Sequence, residues 1–222
     1  MQAGVNTEQV IRIHAALPQT QCQRCDYDDC LAYAQAIVHE GAPINQCPPG
    51  GAEGVRRLAA LTGKPIAPLN PDNGYEGPLT VAYVDEQWCI GCTLCIKVCP
   101  TDAIVGTNKS MHTVIESDCV GCELCIPACP VDCIELEPVN PNLSGWAAWT
   151  QEQADHALAR YEARKSRLER EAIEHDERLA AKALHKLENL DALTTASEAS
   201  PVDQKRATIE AALARAKARQ KR

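Results

Sequence analysis

Cys89, Cys92, Cys95 and Cys99 stand in the pattern C-x2-C-x2-C-x3-C-P, and Cys119, Cys122, Cys125 and Cys129 repeat it thirty residues later. Thiolates are soft ligands that suit zinc and iron–sulfur centres. Three of them at two-residue intervals on a tight loop can wrap one face of a cubane cluster; the fourth cannot reach that cluster without strain. The spacing therefore predicts that each run lends its last cysteine to the other run's cluster. Cys89, Cys92, Cys95 and Cys129 hold one [4Fe-4S] centre, and Cys119, Cys122, Cys125 and Cys99 hold another. A zinc site would instead favour paired C-x2-C units with longer gaps, or histidine ligands.

The duplication extends beyond the ligands. WCIGCTLCIKVCPTDAI and DCVGCELCIPACPVDCI match in register, pairing Ile90 with Val120, Leu94 with Leu124, Ile96 with Ile126 and Ile104 with Ile134. These aliphatics are expected to shield the clusters from water. Gly91 and Gly121 are expected to let backbone amides approach the cluster sulfurs, and Pro100 and Pro130 to stop the following turn from continuing as helix. Residues 79–85 and 111–116 read as short strands leading into the runs. Residues 79–139 resemble the bacterial two-[4Fe-4S] ferredoxin domain, which implies a (βαβ)2 arrangement around two clusters.

Four earlier cysteines, Cys22, Cys25, Cys30 and Cys47, follow the spacing C-x2-C-x4-C-x16-C. Four thiolates without histidine suit a structural zinc or a third cluster, and spacing alone leaves both open. The Cys47-Pro48 ending echoes the later runs and favours iron–sulfur. LPQTQCQRCDYDDCLAYAQAI and INQCPPGG are similar to the small iron–sulfur domain of the RnfB (RsxB) family of the Rnf electron-transport complex. In that family a four-cysteine [4Fe-4S] domain precedes a two-cluster ferredoxin domain, and the resemblance spans residues 10–139. It implies three [4Fe-4S] clusters, with zinc at Cys22, Cys25, Cys30 and Cys47 as the alternative. The family commonly has glycines and a proline where this chain has Gln23, Asp26, Asp28 and Asp29. Three carboxylates beside a cluster oppose an added electron and lower its potential. Family members also commonly open with an apolar anchor helix, whereas this sequence opens at the iron–sulfur domain, so a soluble relative or a peripheral subunit is expected.

The elements that must position these ligands are of mixed type. The 222 residues include 13 cysteines, 14 prolines, three tryptophans and no phenylalanine, so cohesion is expected from metal as much as from aromatic packing. Helices are predicted at about 6–17, 30–40 and 51–62, the second with Leu31, Ala34, Ile37 and Val38 on one face. Residues 64–78 carry four prolines and two glycines and read as a linker. Residues 142–190 read as a long helix, with Ala154, Leu158, Tyr161, Leu168, Ala172 and Leu179 on a rough heptad seam that Lys165 and His175 interrupt. The stretch 194–203 reads as polar and mobile, and a last helix as about 204–219. The fold class is α+β: a small helical four-cysteine domain (1–63), the linker (64–78), the ferredoxin-like domain (79–139) and a charged, partly disordered helical tail (140–222).

Residues 1–140 carry 17 acidic and 7 basic side chains, and residues 141–222 carry 13 acidic and 15 basic. The acidic part repels nucleic-acid phosphates and suits a basic protein partner. No secretory signal pattern and no membrane-length apolar run is found, which points to the cytoplasm, including the cytoplasmic face of the inner membrane. Cys133 reads as a buried structural thiol. The six histidines, His14, His39, His112, His156, His175 and His185, read as solvated or packing residues, and Trp88 and Tyr83 as covers for the first cluster run. No catalytic residue and no nucleotide site is found. The leading expectation is a polyferredoxin-like carrier that passes low-potential electrons singly between a donor and a larger oxidoreductase or Rnf-type complex. The alternatives are a permanently bound iron–sulfur subunit, with the tail as an assembly element, and a redox-sensing or structural iron–sulfur protein.

Overall fold

The structure, a computed structural model, describes residues 2–189 and 202–219, so the predicted mobile stretch at 194–203 lies mostly outside the described residues. Two units are defined, Met1–Arg164 and Lys165–Arg222. The first holds every cysteine.

Three helices open the first unit: α1 (Gln2–Ala15), α2 (Cys30–His39) and α3 (Gly51–Thr62). Their shared core contains Val10, Ile13, Leu17, Tyr33, Ile37, Val55 and Leu58. Asp29 starts α2 as its N-cap, its Oδ1 accepting from the Ala32 amide at 2.7 Å. The buried face of α2 is Cys30, Tyr33, Ala34, Ala36 and Ile37. Leu31 and Val38, expected on that face, are only partly buried. Gly63, at φ 71°, ends α3 in the left-handed conformation that a side chain resists.

The proline-rich stretch after α3 has no regular structure beyond a 3-10 turn at Pro71–Asn73, yet it is tied down. Asn73 is buried, and its Nδ2 donates to the Arg24 carbonyl and to Asp26 Oδ2, both at 2.9 Å. Glu76 accepts from the Ala52 amide at the start of α3 at 2.8 Å and from the Ser144 hydroxyl at 2.7 Å. The segment is a strap rather than a free linker.

Four short strands follow: β1 (Thr80–Val84), β2 (Ile104–Val105), β3 (Thr113–Val114) and β4 (Ile134–Pro138). They form two antiparallel pairs, β1 with β4 and β2 with β3, and Val84 stands opposite Ile134 in the first. Each pair joins one repeat to the other. Helix α4 (Leu94–Val98) contains Cys95, the third cysteine of run one, but residues 124–128 of run two form only turns. Pro127 explains the difference. In run one the Lys97 amide donates to the Thr93 carbonyl at 3.3 Å, and proline in the matching position has no hydrogen to give.

The region after residue 140 is not uniformly solvated. Trp146, Trp149, Ala154 and Ala157 form a buried cluster with Val120. Helix α5 (Gln151–Glu188) begins there. The residues just before α5 and its first turns bind both cysteine regions: Trp149 Nε1 donates to the Pro18 carbonyl at 2.9 Å and Tyr161 Oη to Asp29 Oδ2 at 3.0 Å. Arg160 donates to the carbonyls of Thr101 and Asp102 at 3.0 and 3.1 Å. In the second unit, Leu168 and Leu179 of the predicted seam are exposed, and α6 (Val202–Arg219) closes the described chain. No described helix is long and apolar enough to cross a membrane.

Candidate iron–sulfur centres

The two later cysteine runs surround two cavities, and each cavity draws on both runs. One is lined by Cys89, Cys92, Cys95 and Cys129 together with Val84, Ile90, His112, Val131, Cys133 and Ile134. The other is lined by Cys99, Cys119, Cys122 and Cys125, with Ala82, Thr101, Ala103 and Ile104 among its walls. The backbone carries the same duplication. Gly91, Thr93 and Asp102 have positive φ (67°, 64° and 52°), and thirty residues on Gly121, Glu123 and Asp132 repeat this at 62°, 65° and 49°. Such values are uncommon away from glycine and record loops that bend back on themselves.

Neighbouring backbone by itself requires glycine at Gly91 and Gly121. A Cβ on Gly91 would lie 2.5 Å from the Ser110 amide nitrogen, and one on Gly121 would lie 2.6 Å from the Thr80 carbonyl oxygen.

The donor set fits a cluster chemically. Burial is the main force pushing the Cys122 and Cys125 thiols up to about 12, with neighbouring cysteines adding to it. Burial likewise raises Cys95. Burial also acts on Cys129, but backbone amides of Cys133, Val131 and Asp132 and the Cys133 thiol outweigh it and draw Cys129 below its ordinary value. Converging buried thiolates repel one another without a cation, and iron bound among them removes that obstacle. Further donors already point at the sulfurs, the Ala103 amide reaching Cys99 Sγ at 3.2 Å and the Ala82 amide reaching Cys119 Sγ at 3.5 Å.

In the first domain, Cys25 and Cys30 belong to the buried helical core, Cys47 packs against it and Cys22 is half-buried. The Cys30 amide donates to Gln21 Oε1 at 2.8 Å, and Gln21 Nε2 donates to Gln19 Oε1 at 3.0 Å, a buried polar ladder behind the ligand loop. Burial raises the Cys30 and Cys47 thiols well above their ordinary value. Gln23 and Asp26 occupy left-handed positions, φ 60° and 67°. Their side chains are engaged as well: Gln23 Nε2 donates to the Asp28 carbonyl at 3.0 Å, and Asp26 accepts from Asn73. Asp26 and Asp28 are exposed, so water and salt screen their charge on any cluster.

Several side chains differ from their sequence-based reading. Trp88 is 67 % exposed and does not line the cavity beside it, while Tyr83 donates its hydroxyl hydrogen to Glu135 across the β1–β4 pair at 2.6 Å. Neither lines either of the two cavities. Of the aliphatic pairs, Val120, Ile104 and Ile134 are buried, but Ile90 and Leu94 are exposed. Cys133 is buried as expected, and its sulfur lies 3.5 Å from Cys129 Sγ. His112 is the residue that local spacing misses: it is buried with Nδ1 3.3 Å from Cys95 Sγ. The signal for it is the thirty-residue register, carried back from the cysteines to Ala82.

Two cavities ringed by exchanged cysteine quartets on a duplicated backbone define an iron–sulfur electron-transfer protein of the dicluster ferredoxin type. Residues 82–136 match the family model described as a 4Fe-4S dicluster domain, and residues 17–49 match one described as "Putative Fe-S cluster". The RnfB component of the ion-translocating oxidoreductase complex of Azoarcus sp. (strain BH72) is 61% identical over 137 residues, 62% of this chain and 75% of that one. The proteins of the same name from Thiobacillus denitrificans and Alkalilimnicola ehrlichii are 56% and 53% identical, covering 61% and 66% of this chain and 72% and 78% of theirs. No solved structure matches. The chain belongs to the RnfB family of ion-translocating oxidoreductase complex components.

Proposed function

We propose that this chain is the multi-cluster electron relay of an Rnf-type ion-translocating complex and carries three [4Fe-4S] centres. Cys22, Cys25, Cys30 and Cys47 hold the first; Cys89, Cys92, Cys95 and Cys129 the second; Cys99, Cys119, Cys122 and Cys125 the third. The observation that carries the reading is the pair of cavities, each ringed by three cysteines of one run and the last of the other. When bound, the clusters supply one-electron storage at low potential. The protein's own work is to fix the sulfurs, limit water and dock partners.

The relay is ordered differently in space and in sequence. Arg24 lies between Cys22 and Cys25, Glu123 lies between Cys122 and Cys125, and the two side chains form an ion pair at 2.5 Å. The four-cysteine centre therefore neighbours the Cys99/Cys119/Cys122/Cys125 centre, and the Cys89 centre stands at the far end. Ile90 lines that far cavity and is exposed, as are its sequence neighbours Trp88 and Leu94, an apolar set that suits a protein partner. The four-cysteine site is assigned to iron rather than zinc with the support of its match to an iron–sulfur family model.

Anaerobic purification from native membranes tests the role. The chain is expected to co-purify with an ion-translocating complex in fixed stoichiometry, and its chemically reduced clusters to be reoxidised by that complex. A chain that purifies free of any membrane complex and exchanges no electrons with one would overturn this role.

A further inference from the structure

The two cavities of the ferredoxin-type domain are related by the thirty-residue register, but their walls are not equivalent. Ala82 lines the cavity of Cys99, Cys119, Cys122 and Cys125, and the matching residue lining the other cavity is His112. His112 is 2 % exposed, with Nδ1 3.3 Å from Cys95 Sγ and Nε2 buried without a hydrogen-bond partner. Gly106 makes room for the ring: a Cβ there would lie 2.3 Å from His112 Cδ2.

An iron-bound thiolate has no proton to give, so the contact with Cys95 requires the hydrogen on Nδ1. That tautomer leaves Nε2 as a buried, unpartnered acceptor, which is unfavourable. An apolar side chain would fill the space without that cost. The ring's one polar contact is with a cluster ligand, so the hydrogen bond is what distinguishes histidine here from packing alone.

We infer that His112 is a positioning residue that acts through Cys95 and makes the two ferredoxin-type clusters electronically inequivalent. This rests on the assignment of Cys89, Cys92, Cys95 and Cys129 as one ligand set. Reduction adds negative charge that spreads onto the ligand sulfurs, and a fixed N–H donor stabilises the reduced form more than the oxidised one. The cluster on Cys95 is therefore the more readily reduced of the two.

Backbone amides serve both cavities, those of Ala103 and Ala82 reaching Cys99 and Cys119 in the second and those of Cys133, Val131 and Asp132 acting on Cys129 in the first, but the second has no matching side-chain donor at the corresponding positions, Ala82 and Ala103. Its Thr101 gives its hydroxyl hydrogen to the Asp118 carbonyl at 2.7 Å, leaving none for Cys99 Sγ at 3.9 Å. Solvent acts in the same direction, since Ile90 beside the first cavity is 58 % exposed and its counterpart Val120 beside the second is 4 % exposed. An electron shared between the two clusters thus rests at the end of the relay away from the four-cysteine domain.

The test is an anaerobic, EPR-monitored redox titration of the full chain, with iron and sulfide determined on each sample. His112→Ala is expected to lower one of the two ferredoxin-type couples by at least a tenfold change in its oxidised-to-reduced ratio, about 59 mV for one electron, and to leave the other in place. His112→Asn can present an amide N–H near the position of Nδ1 and is expected to retain the wild-type couple, whereas His112→Gln presents it farther out and is expected to behave like alanine. Should His112→Ala fail to assemble, the Asn and Gln variants decide the question. Full iron content with unmoved potentials, equal shifts of both couples, or Asn and Gln behaving alike would overturn the inference. A wild-type chain lacking two ferredoxin-type couples would instead overturn the ligand assignment beneath it.

Discussion

Arg24 Nη2 and Glu123 Oε1 meet at 2.5 Å, joining the loop between Cys22 and Cys25 to the loop between Cys122 and Cys125. The two side chains are partly exposed, so their attraction is worth no more than about 1 kcal/mol. Its importance is geometric. Arg24→Glu is expected to leave the melting temperature within a few degrees of wild type while slowing electron transfer between the four-cysteine centre and the ferredoxin-type domain. Arg24→Glu with Glu123→Arg should restore the rate. Pulse radiolysis or flash reduction would follow it, and an unchanged rate in the single variant would count against contact between these two centres.

Exchange of the last cysteine between runs makes a crossed prediction. Cys129→Ser should disturb the cluster held by Cys89, Cys92 and Cys95, although Cys129 belongs to the second run. Cys99→Ser should disturb the cluster held by Cys119, Cys122 and Cys125. Iron content and EPR of each variant report which signal is lost. Loss of the same-run signal in either variant would refute the exchange.

The start of α5 predicts a sharp difference between two truncations. Ending the chain after Arg164 retains Trp146, Trp149, Arg160 and Tyr161, and the first unit should melt close to the full-length value. Ending it at residue 140 removes the buried Trp146, Trp149, Ala154 and Ala157. Trp149→Ala alone should cost about 3–5 kcal/mol through lost packing, with the bond to the Pro18 carbonyl lost as well. Calorimetry of both truncations and of Trp149→Ala checks this; similar melting of all three would contradict it.

The two lobes of the first unit should also respond differently to loss of iron. The helical lobe has Ile13, Leu17, Tyr33 and Leu58 in its core, whereas the buried set of the other lobe includes Cys95, Cys99, Cys125, Cys129 and Cys133. Removal of iron with a chelator under reducing conditions should abolish protection in the sheet lobe while the amides of α2 and α3 stay protected. Hydrogen exchange read by mass spectrometry distinguishes the outcomes, and uniform loss of protection would show that the helical lobe also depends on metal.

Local pattern carries much of this architecture. The predicted helices at 30–40 and 51–62 emerge as Cys30–His39 and Gly51–Thr62, because apolar spacing and glycine stops act within a few residues. The repeat register also locates the strands near 80 and 113. It misses the loss of helix in run two, although Pro127 is visible, because similarity between the repeats outweighs a missing amide. Partners far apart in sequence are not legible. Tyr161 with Asp29, Trp149 with Pro18, and Asn73 with Asp26 depend on how the chain returns on itself, which local spacing does not encode. His112 lies between these cases: its distance from Cys95 is tertiary, but its mismatch with Ala82 is written in the repeat.

If all twelve clustered cysteines serve one electron path, the metal content of the chain must show it. The most direct measurement is of iron, acid-labile sulfide and zinc per chain in protein purified without oxygen. Three cubanes require about twelve iron, about twelve sulfide and no zinc. About eight of each with one zinc would make Cys22, Cys25, Cys30 and Cys47 a structural clip and contradict the three-centre relay.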